Sequence, residues 1–454
     1  MISFPAHALI DPRLPPSLLG NVNEETSRLS FTSNFNRLNH GVFRFPAKFH
    51  PPVVRELIER FSRRADTILD PFCGSGTTIV EALVAGRGAV GTDVDPLSVL
   101  ITRGKTQRYD IARLEELATK VTADLVRFRE ADERFWGDFS SEIDPAEYAA
   151  ARGEFAAQIP DMPNIEHWFR RRVIIQLAAI KARIDRYQGA TEHLFFQLCF
   201  GAIIRNSSNA DPVPVSGLEV TRHMREREIG GRVVDPYSLL TAMLRKTLEA
   251  TRHFQAERAP RVLARAAQAD ARYLSVRGTG LVDCVITSPP YLTAVNYYRR
   301  HLLEMFWLGL TDTVAERLEL MRRYLGRDSV AQHHIESGYG AHGTEIARRW
   351  LTELPTTKPE RARAFTHYCA GMSETFARLV EVTQASGPII IVIGDVRFNN
   401  QPISMPLLLA EIGRPWLHLG DQFWYSLANR HMSYERKNGA NIDTDHVLVF
   451  RSRS

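Results

Sequence analysis

Thr287-Ser288-Pro289-Pro290-Tyr291 directly follows the short apolar run Val282-Asp283-Cys284-Val285-Ile286, and its residue types suit chemistry on a flat, amine-bearing ring. Neither proline can donate a ladder hydrogen bond, and Ser288 and Pro289, each preceding a proline, are pushed toward extended geometry. The pattern predicts a buried strand that stops in a stiff loop. Such a loop can aim the Ser288 hydroxyl and the Pro289 carbonyl at one ligand group, with the Tyr291 ring alongside to stack on something planar. Taken alone, the stretch reads better as a rigid turn capping a core strand. A second stretch changes that balance.

The elements that must position this loop begin with Ile68-Leu69-Asp70-Pro71-Phe72-Cys73-Gly74-Ser75-Gly76-Thr77-Thr78, followed by the helix-compatible Ile79-Val80-Glu81-Ala82-Leu83. A short strand, a glycine-rich turn and a helix start form the first half of a nucleotide-type site, where glycines let the backbone approach a ligand. After Gly86-Arg87-Gly88 comes a second strand, Ala89-Val90-Gly91-Thr92-Asp93. Its acid lies roughly twenty residues beyond the glycine loop, the spacing expected of a carboxylate that grips ribose hydroxyls. In doubly wound sheets ligands sit outside the carboxyl ends of the strands. Gly74 and Ser288 both lie just past such ends, so a cofactor and an acceptor can meet there despite the distance in sequence.

These residues carry a resemblance. Asp70 to Thr78 is similar to the S-adenosylmethionine-binding motif of DNA amino-methyltransferases, and Thr287 to Tyr291 resembles their catalytic motif. Phe45-Pro46-Ala47-Lys48-Phe49-His50-Pro51-Pro52, before Val53-Val54-Arg55-Glu56-Leu57-Ile58, resembles the segment that closes over the methionine end of the cofactor. Ala269-Asp270-Ala271 resembles the turn whose acid contacts the adenine amine. Together these stretches make up less than a tenth of the chain. The resemblance implies a class I methyltransferase fold, a doubly wound, mostly parallel seven-stranded sheet, here with a large helical insertion. It implies S-adenosylmethionine held by Asp70, Phe72, Gly74, Gly76, Thr77, Thr78, Asp93, Asp270 and Ala271, with Lys48, Phe49, His50 and Pro51 over its tail. Ser288, Pro289, Pro290 and Tyr291 then form the catalytic loop. The serine-first motif is typical of N4-cytosine enzymes, whereas N6-adenine enzymes more often begin with Asp or Asn. The implied reaction is methyl transfer to the N4 amine of a flipped cytosine in double-stranded DNA. Three alternatives stay open: N6-adenine methylation of DNA, guanine-N2 methylation of RNA, and a non-catalytic DNA-binding subunit. A cognate restriction endonuclease is an implied partner.

Composition agrees with this reading without demanding it. The 454 residues are 44% hydrophobic and 24% charged, enough for one large domain with insertions or for two. A net charge of +5 and a pI near 9.0 are compatible with nucleic acid. The cysteines at 73, 199, 284 and 369 lack metal-ligand spacing or a pairing pattern, which predicts a reducing cytoplasm, no disulfide scaffold and no zinc. The absence of a Pro-Cys pair argues against C5 methylation of cytosine, which needs a thiolate nucleophile. No secretory pattern or membrane-spanning apolar run is visible, so a soluble, nucleoid-associated protein is expected.

In chain order, residues 1–40 read as a polar lead-in arm and 41–107 as the cofactor half. Residues 108–260 turn helical, with Val173, Leu177, Ile180 and Ile184 at helical spacing behind Arg170-Arg171-Arg172. As a whole this insertion is expected to contact DNA, with its arginines beside Trp168 and Phe169 as candidates, although any one arginine reads as readily as part of a solvated face. Residues 261–309 form the catalytic half, where Asn296 to His301 open a helix lining a base pocket or covering the sheet. Residues 310–365 read as a second insertion, a lid or DNA-contact loop carrying His333-His334 and Gly338-Tyr339-Gly340. Residues 366–454 supply the last strands, including the apolar run Pro388 to Ile393 and a terminal hairpin around the basic stretch Arg430 to Gly439.

Overall fold

The computed structural model describes residues 38–139, 143–212, 218–275, 280–292, 296–331, 340–354, 358–399, 401–426 and 444–453. Most of the expected lead-in arm, the His333-His334 pair, Gly338-Tyr339 and the basic stretch Arg430 to Gly439 lie outside these residues.

Seven strands form the central sheet: β1 (Thr67–Asp70), β2 (Gly88–Asp93), β3 (Ala264–Gln268), β4 (Cys284–Thr287), β5 (Ile389–Gly394), β6 (Leu417–Ser426) and β7 (Thr444–Ser452). Their order is β3-β2-β1-β4-β5-β7-β6. The first five run parallel, and β7 enters antiparallel between β5 and β6. This is the class I methyltransferase fold. The strand order reverses at β1, which pairs with β2 on one side and β4 on the other, so the loops after β1 and β4 open side by side at the switch point.

Alternation along the strands shows why the sheet is covered on both faces. Ile68, Cys284, Ile286, Ile390, Val392, Val447 and Val449 share a core with helices α1 (Pro51–Phe61) and α2 (Thr77–Val84). Leu69, Val285, Ile389, Ile391, Ile393, Leu448 and Phe450 pack on the opposite side. Their partners are the helices Pro359–Val382 and Met405–Gly413. Every position of β5 is buried, which is why that strand reads as a continuous apolar run. Cys73 and Cys284 belong to the first of these cores, and all four cysteines are buried. The helix Pro359–Val382 crosses residue 365, where the second insertion was expected to end.

The regular elements described between β2 and β3 are all helices. Its core is continuous with Val42 and Phe43, with Leu97 and Ile101 of α3 (Pro96–Thr106), and with Leu303, Met305, Phe306 and Trp307 after the catalytic loop. The insertion therefore packs as part of the flank of the site. Of the three arginines singled out in the sequence, Arg172 has a structural place. Arg172 is buried against Asp132 (2.8 Å) and donates to the Gly137 carbonyl, Arg170 pairs with Glu228, and Arg171 pairs with Glu166. The buried Arg172 pair is closed to a phosphate, whereas the Arg171–Glu166 pair lies at the surface. Among the described residues no helix is long and apolar enough to cross a membrane.

Candidate active site

The glycine loop between β1 and α2 is built by close contacts. Gly74 and Gly76 adopt φ of +47° and +77°, which side-chain-bearing residues rarely tolerate. A Cβ on Gly76 would lie 2.7 Å from Thr102 Oγ1 in α3, so that glycine lets the loop pack on a helix. One on Gly74 would stand 3.2 Å from the Phe45 ring, inside the cleft described next. Buried Lys105 donates to the Ser75 carbonyl at 2.7 Å and braces the turn from below. Asp93, ending β2, accepts from the backbone N–H of Gly74 and of Asp95, each at 2.9 Å. Asp95 caps α3 through Leu97 N–H, and its other oxygen meets His301 Nδ1.

A cleft of about 810 Å³, counting space open to solvent, lies over these loop ends. Among the residues expected at the site, Lys48, Phe49, Asp70, Phe72, Gly74, Thr77, Asp93, Asp270, Ser288 and Pro290 line it. The cofactor half and the catalytic loop thus share one cavity. His50, Pro51, Gly76, Thr78, Ala271, Pro289 and Tyr291 do not line it. Pro51 opens α1, Thr78 is buried in the first turn of α2, and Ala271 is buried in a short turn after β3. Burial pulls His50 down to about 4. Lys48 turns its ammonium inward, donating to the carbonyls of His40 (2.7 Å) and Phe43 (2.6 Å), and burial lowers its pKa to about 8. It pins the chain that leads into the cleft. Asp270 is bound by the Arg272 guanidinium (2.8 and 2.5 Å) and by the Arg272 N–H. Tyr291 donates its hydroxyl to Asp445 Oδ1 at 3.0 Å, and Tyr425 occupies Oδ2 at 2.9 Å. The Ser288 side chain also interacts with the Tyr291 hydroxyl.

The floor of the cleft is acidic. Asp70 is buried and accepts from Thr287 Oγ1 at 2.6 Å, a bond that joins the last residue of β4 to the head of the glycine loop. Burial raises Asp70 to about 6; burial and then the neighbouring Asp95 raise Asp93 to about 7. Both groups are therefore more protonated in the folded protein than in the unfolded chain, where such carboxyls titrate near 3.9. Stability contributed by their neutral forms is full at low pH and lost as pH rises from about 4 to about 7. Thermal melts of the unliganded protein should show that decline. A ligand bringing positive charge or hydroxyl donors favours the ionised forms. Affinity for S-adenosylhomocysteine should then rise with pH through 6 to 8 with release of a proton, as calorimetry in buffers of different ionisation enthalpy would reveal.

The second insertion also reaches the cleft, through Arg323, Tyr324 and Leu325 at the end of the helix Val314–Arg323. Gly326, at φ +76°, presses on the catalytic loop so closely that a Cβ would lie 2.5 Å from the Tyr291 carbonyl oxygen and 3.2 Å from Pro290 Cβ. Gly326→Ala should cost about 1–3 kcal/mol, typical of overpacking, in denaturant unfolding. Sequence reasoning missed this wall and missed Asp95, which also lines the cleft; Tyr297, another lining residue, lies in the stretch Asn296 to His301 that was expected to line a base pocket or cover the sheet. Asp95-Pro96 did carry a readable signal, an N-cap followed by proline at the first helical position.

Comparison with known proteins agrees with the geometry. A family model described as DNA methylase, of the N6/N4 methyltransferase type, matches residues 20–102. The type II methyltransferase M.MvaI of Kocuria varians is 28% identical over 204 residues, 44% of this chain and 41% of that protein. The type II methyltransferase M.MjaII of Methanocaldococcus jannaschii is 38% identical over 78 residues, 17% of this chain and 15% of its own. The chain is thus similar, over its amino-terminal part, to DNA methylases of the N6/N4 type. A tRNA (guanine(10)-N2)-dimethyltransferase of Methanothermobacter thermautotrophicus is also similar, 37% identical over 95 residues, 20% of this chain and 28% of that one. The chain spans less than half the length of each of these relatives in its matches. Family and fold imply S-adenosylmethionine as methyl donor. The cleft suits it, since Gly74 keeps open a cradle that a side chain would fill, and the acidic floor complements a cationic, hydroxyl-bearing ligand.

Proposed function

We propose that this protein is a site-specific DNA methyltransferase acting on an exocyclic amine, with the N4 amine of cytosine as acceptor. The observation that carries the reading is the joint lining of one cleft by Ser288 and Pro290 from the β4 loop and by Phe72, Gly74, Asp93 and Asp270 from the cofactor half. When bound, S-adenosylmethionine supplies an electrophilic methyl group on a sulfonium. Asp93 would hold its ribose and Asp270 its adenine. Gly74 would admit the methionine part, with Phe72, Thr77 and Asp70 around it and Lys48 and Phe49 closing from the side.

An exocyclic amine is a weak nucleophile because its lone pair is delocalised into the ring. The chain's task is to orient that amine and to favour a more tetrahedral nitrogen. The Ser288 hydroxyl oxygen and the Pro289 carbonyl would each accept a hydrogen bond from the amine. Pro289 and Pro290 keep the loop stiff, and the Thr287–Asp70 bond fixes its base. Tyr291, its hydroxyl anchored on Asp445, would present its ring to a base turned out of the duplex. Neither a metal nor a covalent intermediate is part of this scheme.

Serine at the head of the motif supports cytosine over adenine. The similarity to a guanine-N2 tRNA enzyme supports a second reading, methylation of RNA. Transfer of labelled methyl groups to duplex DNA and to an RNA transcript of the same sequence, run side by side, separates the two. Label in DNA is the expected result, and label confined to RNA would overturn the proposal. A cognate restriction endonuclease and a cytoplasmic location belong to the same proposal.

A further inference from the structure

Tyr324 is a cleft-lining residue that no cofactor motif accounts for. It caps the end of the helix Val314–Arg323, is only 6% exposed, and stands edge-on to Tyr298 at 6.3 Å between ring centroids. Its hydroxyl oxygen is shut off from solvent, and its one polar neighbour among the described residues is the Asp95 side chain, at a geometry short of a regular hydrogen bond. A desolvated hydroxyl is costly to leave unpaired, so the native liganded protein should supply a partner. The direction in which it faces follows from its surroundings. It interacts with the Asp95 side chain, which lines the same cleft just past the end of β2, and burial and then the charges of Asp95 and Asp93 push its pKa well up; the hydroxyl therefore faces the end of β2, where a ribose would lie.

The segment that carries Tyr324 is fixed at both ends. Gly326 is wedged against the Tyr291 carbonyl, and Val330 is tied to the helix Pro359–Val382, its N–H donating to the Glu360 carbonyl at 3.1 Å and its carbonyl accepting from the Arg363 side chain (Nε) at 2.8 Å. The second insertion thus forms a standing wall of the cleft at this point. A preorganised wall costs little ordering when a ligand binds.

We propose that Tyr324 is a cofactor-binding residue whose hydroxyl hydrogen-bonds the adenosyl sugar from the side opposite Asp93. This rests on the reading that the cleft takes S-adenosylmethionine, and it assigns to the second insertion a part in holding that group.

The test is Tyr324→Phe, which deletes one oxygen whose only polar neighbour among the described residues is the Asp95 side chain. Calorimetric titration with S-adenosylhomocysteine should show affinity weakened by about 3- to 10-fold, the value of one hydrogen bond, with the melting temperature of the unliganded protein unchanged. Titration with 5′-methylthioadenosine, which lacks the amino-acid tail, should show the same factor, and Tyr298→Phe should show no loss. Unchanged affinity together with a lowered melting temperature would overturn the proposal, because the hydroxyl would then serve Asp95 within the protein. Weakening for S-adenosylhomocysteine alone would also overturn it, placing the hydroxyl at the tail. Failure of the unsubstituted protein to bind either compound would instead sink the cofactor reading itself.

Discussion

Replacing Ser288 by alanine should lower the rate of methyl transfer about 10²- to 10³-fold while leaving affinity for S-adenosylhomocysteine unchanged. That range is what removal of one preorganised hydrogen-bonding group from an active site commonly costs. Ser288 is half-buried at the lip where the catalytic loop enters the cleft, and its neighbours keep the loop in place without it. Thr287 remains bonded to Asp70, and Tyr291 remains bonded to Asp445. The substitution therefore removes an acceptor for the amine and the contact with the Tyr291 hydroxyl, which keeps its bond to Asp445. Single-turnover rates alongside calorimetric affinities separate the two quantities. Full turnover by Ser288→Ala would show that the serine has no catalytic part.

Asp93→Ala should act on the other half of the site, weakening the binding of S-adenosylhomocysteine about 10²-fold. The carboxylate holds two backbone N–H groups, those of Gly74 and Asp95, and each bond to a charged group contributes about 1.5–3 kcal/mol. Without it, the glycine loop and the turn into α3 separate, and any contact with ribose is lost as well. Asp93→Asn keeps one carbonyl oxygen but aims an amide at the second N–H, so its loss should fall between the two. It should also flatten the rise of affinity with pH near 7, since Asp93 is the group raised to about that value. An affinity for S-adenosylhomocysteine that Asp93→Ala leaves intact would remove Asp93 from the cofactor site.

The two motif regions were legible because the physics there is local. A strand of apolar residues, a turn that only glycines permit and a helix start are all written within a dozen neighbouring positions, and β1, Gly74, Gly76 and α2 follow that script. The apolar run of β5 was legible for the same reason, being buried on both faces. What escaped is non-local. Tyr324 enters the cleft from a segment that reads as polar, because Gly326 lets it pack on a loop 35 residues earlier in the chain, at Tyr291. The anchoring of Tyr291 depends on Asp445, and the pairing of Arg172 depends on Asp132. A charge run shows its charge in the sequence but not its partners, which is why Arg172 looked available to phosphate.

The central claim is tested most directly by incubating the purified protein with isotopically labelled S-adenosylmethionine and mixed-sequence duplex DNA, then digesting the DNA for nucleoside mass spectrometry. Label in N4-methylcytosine is the predicted result. Label in N6-methyladenine would keep the site and replace the acceptor base. Bound cofactor with no label on any exocyclic amine of DNA would contradict the account.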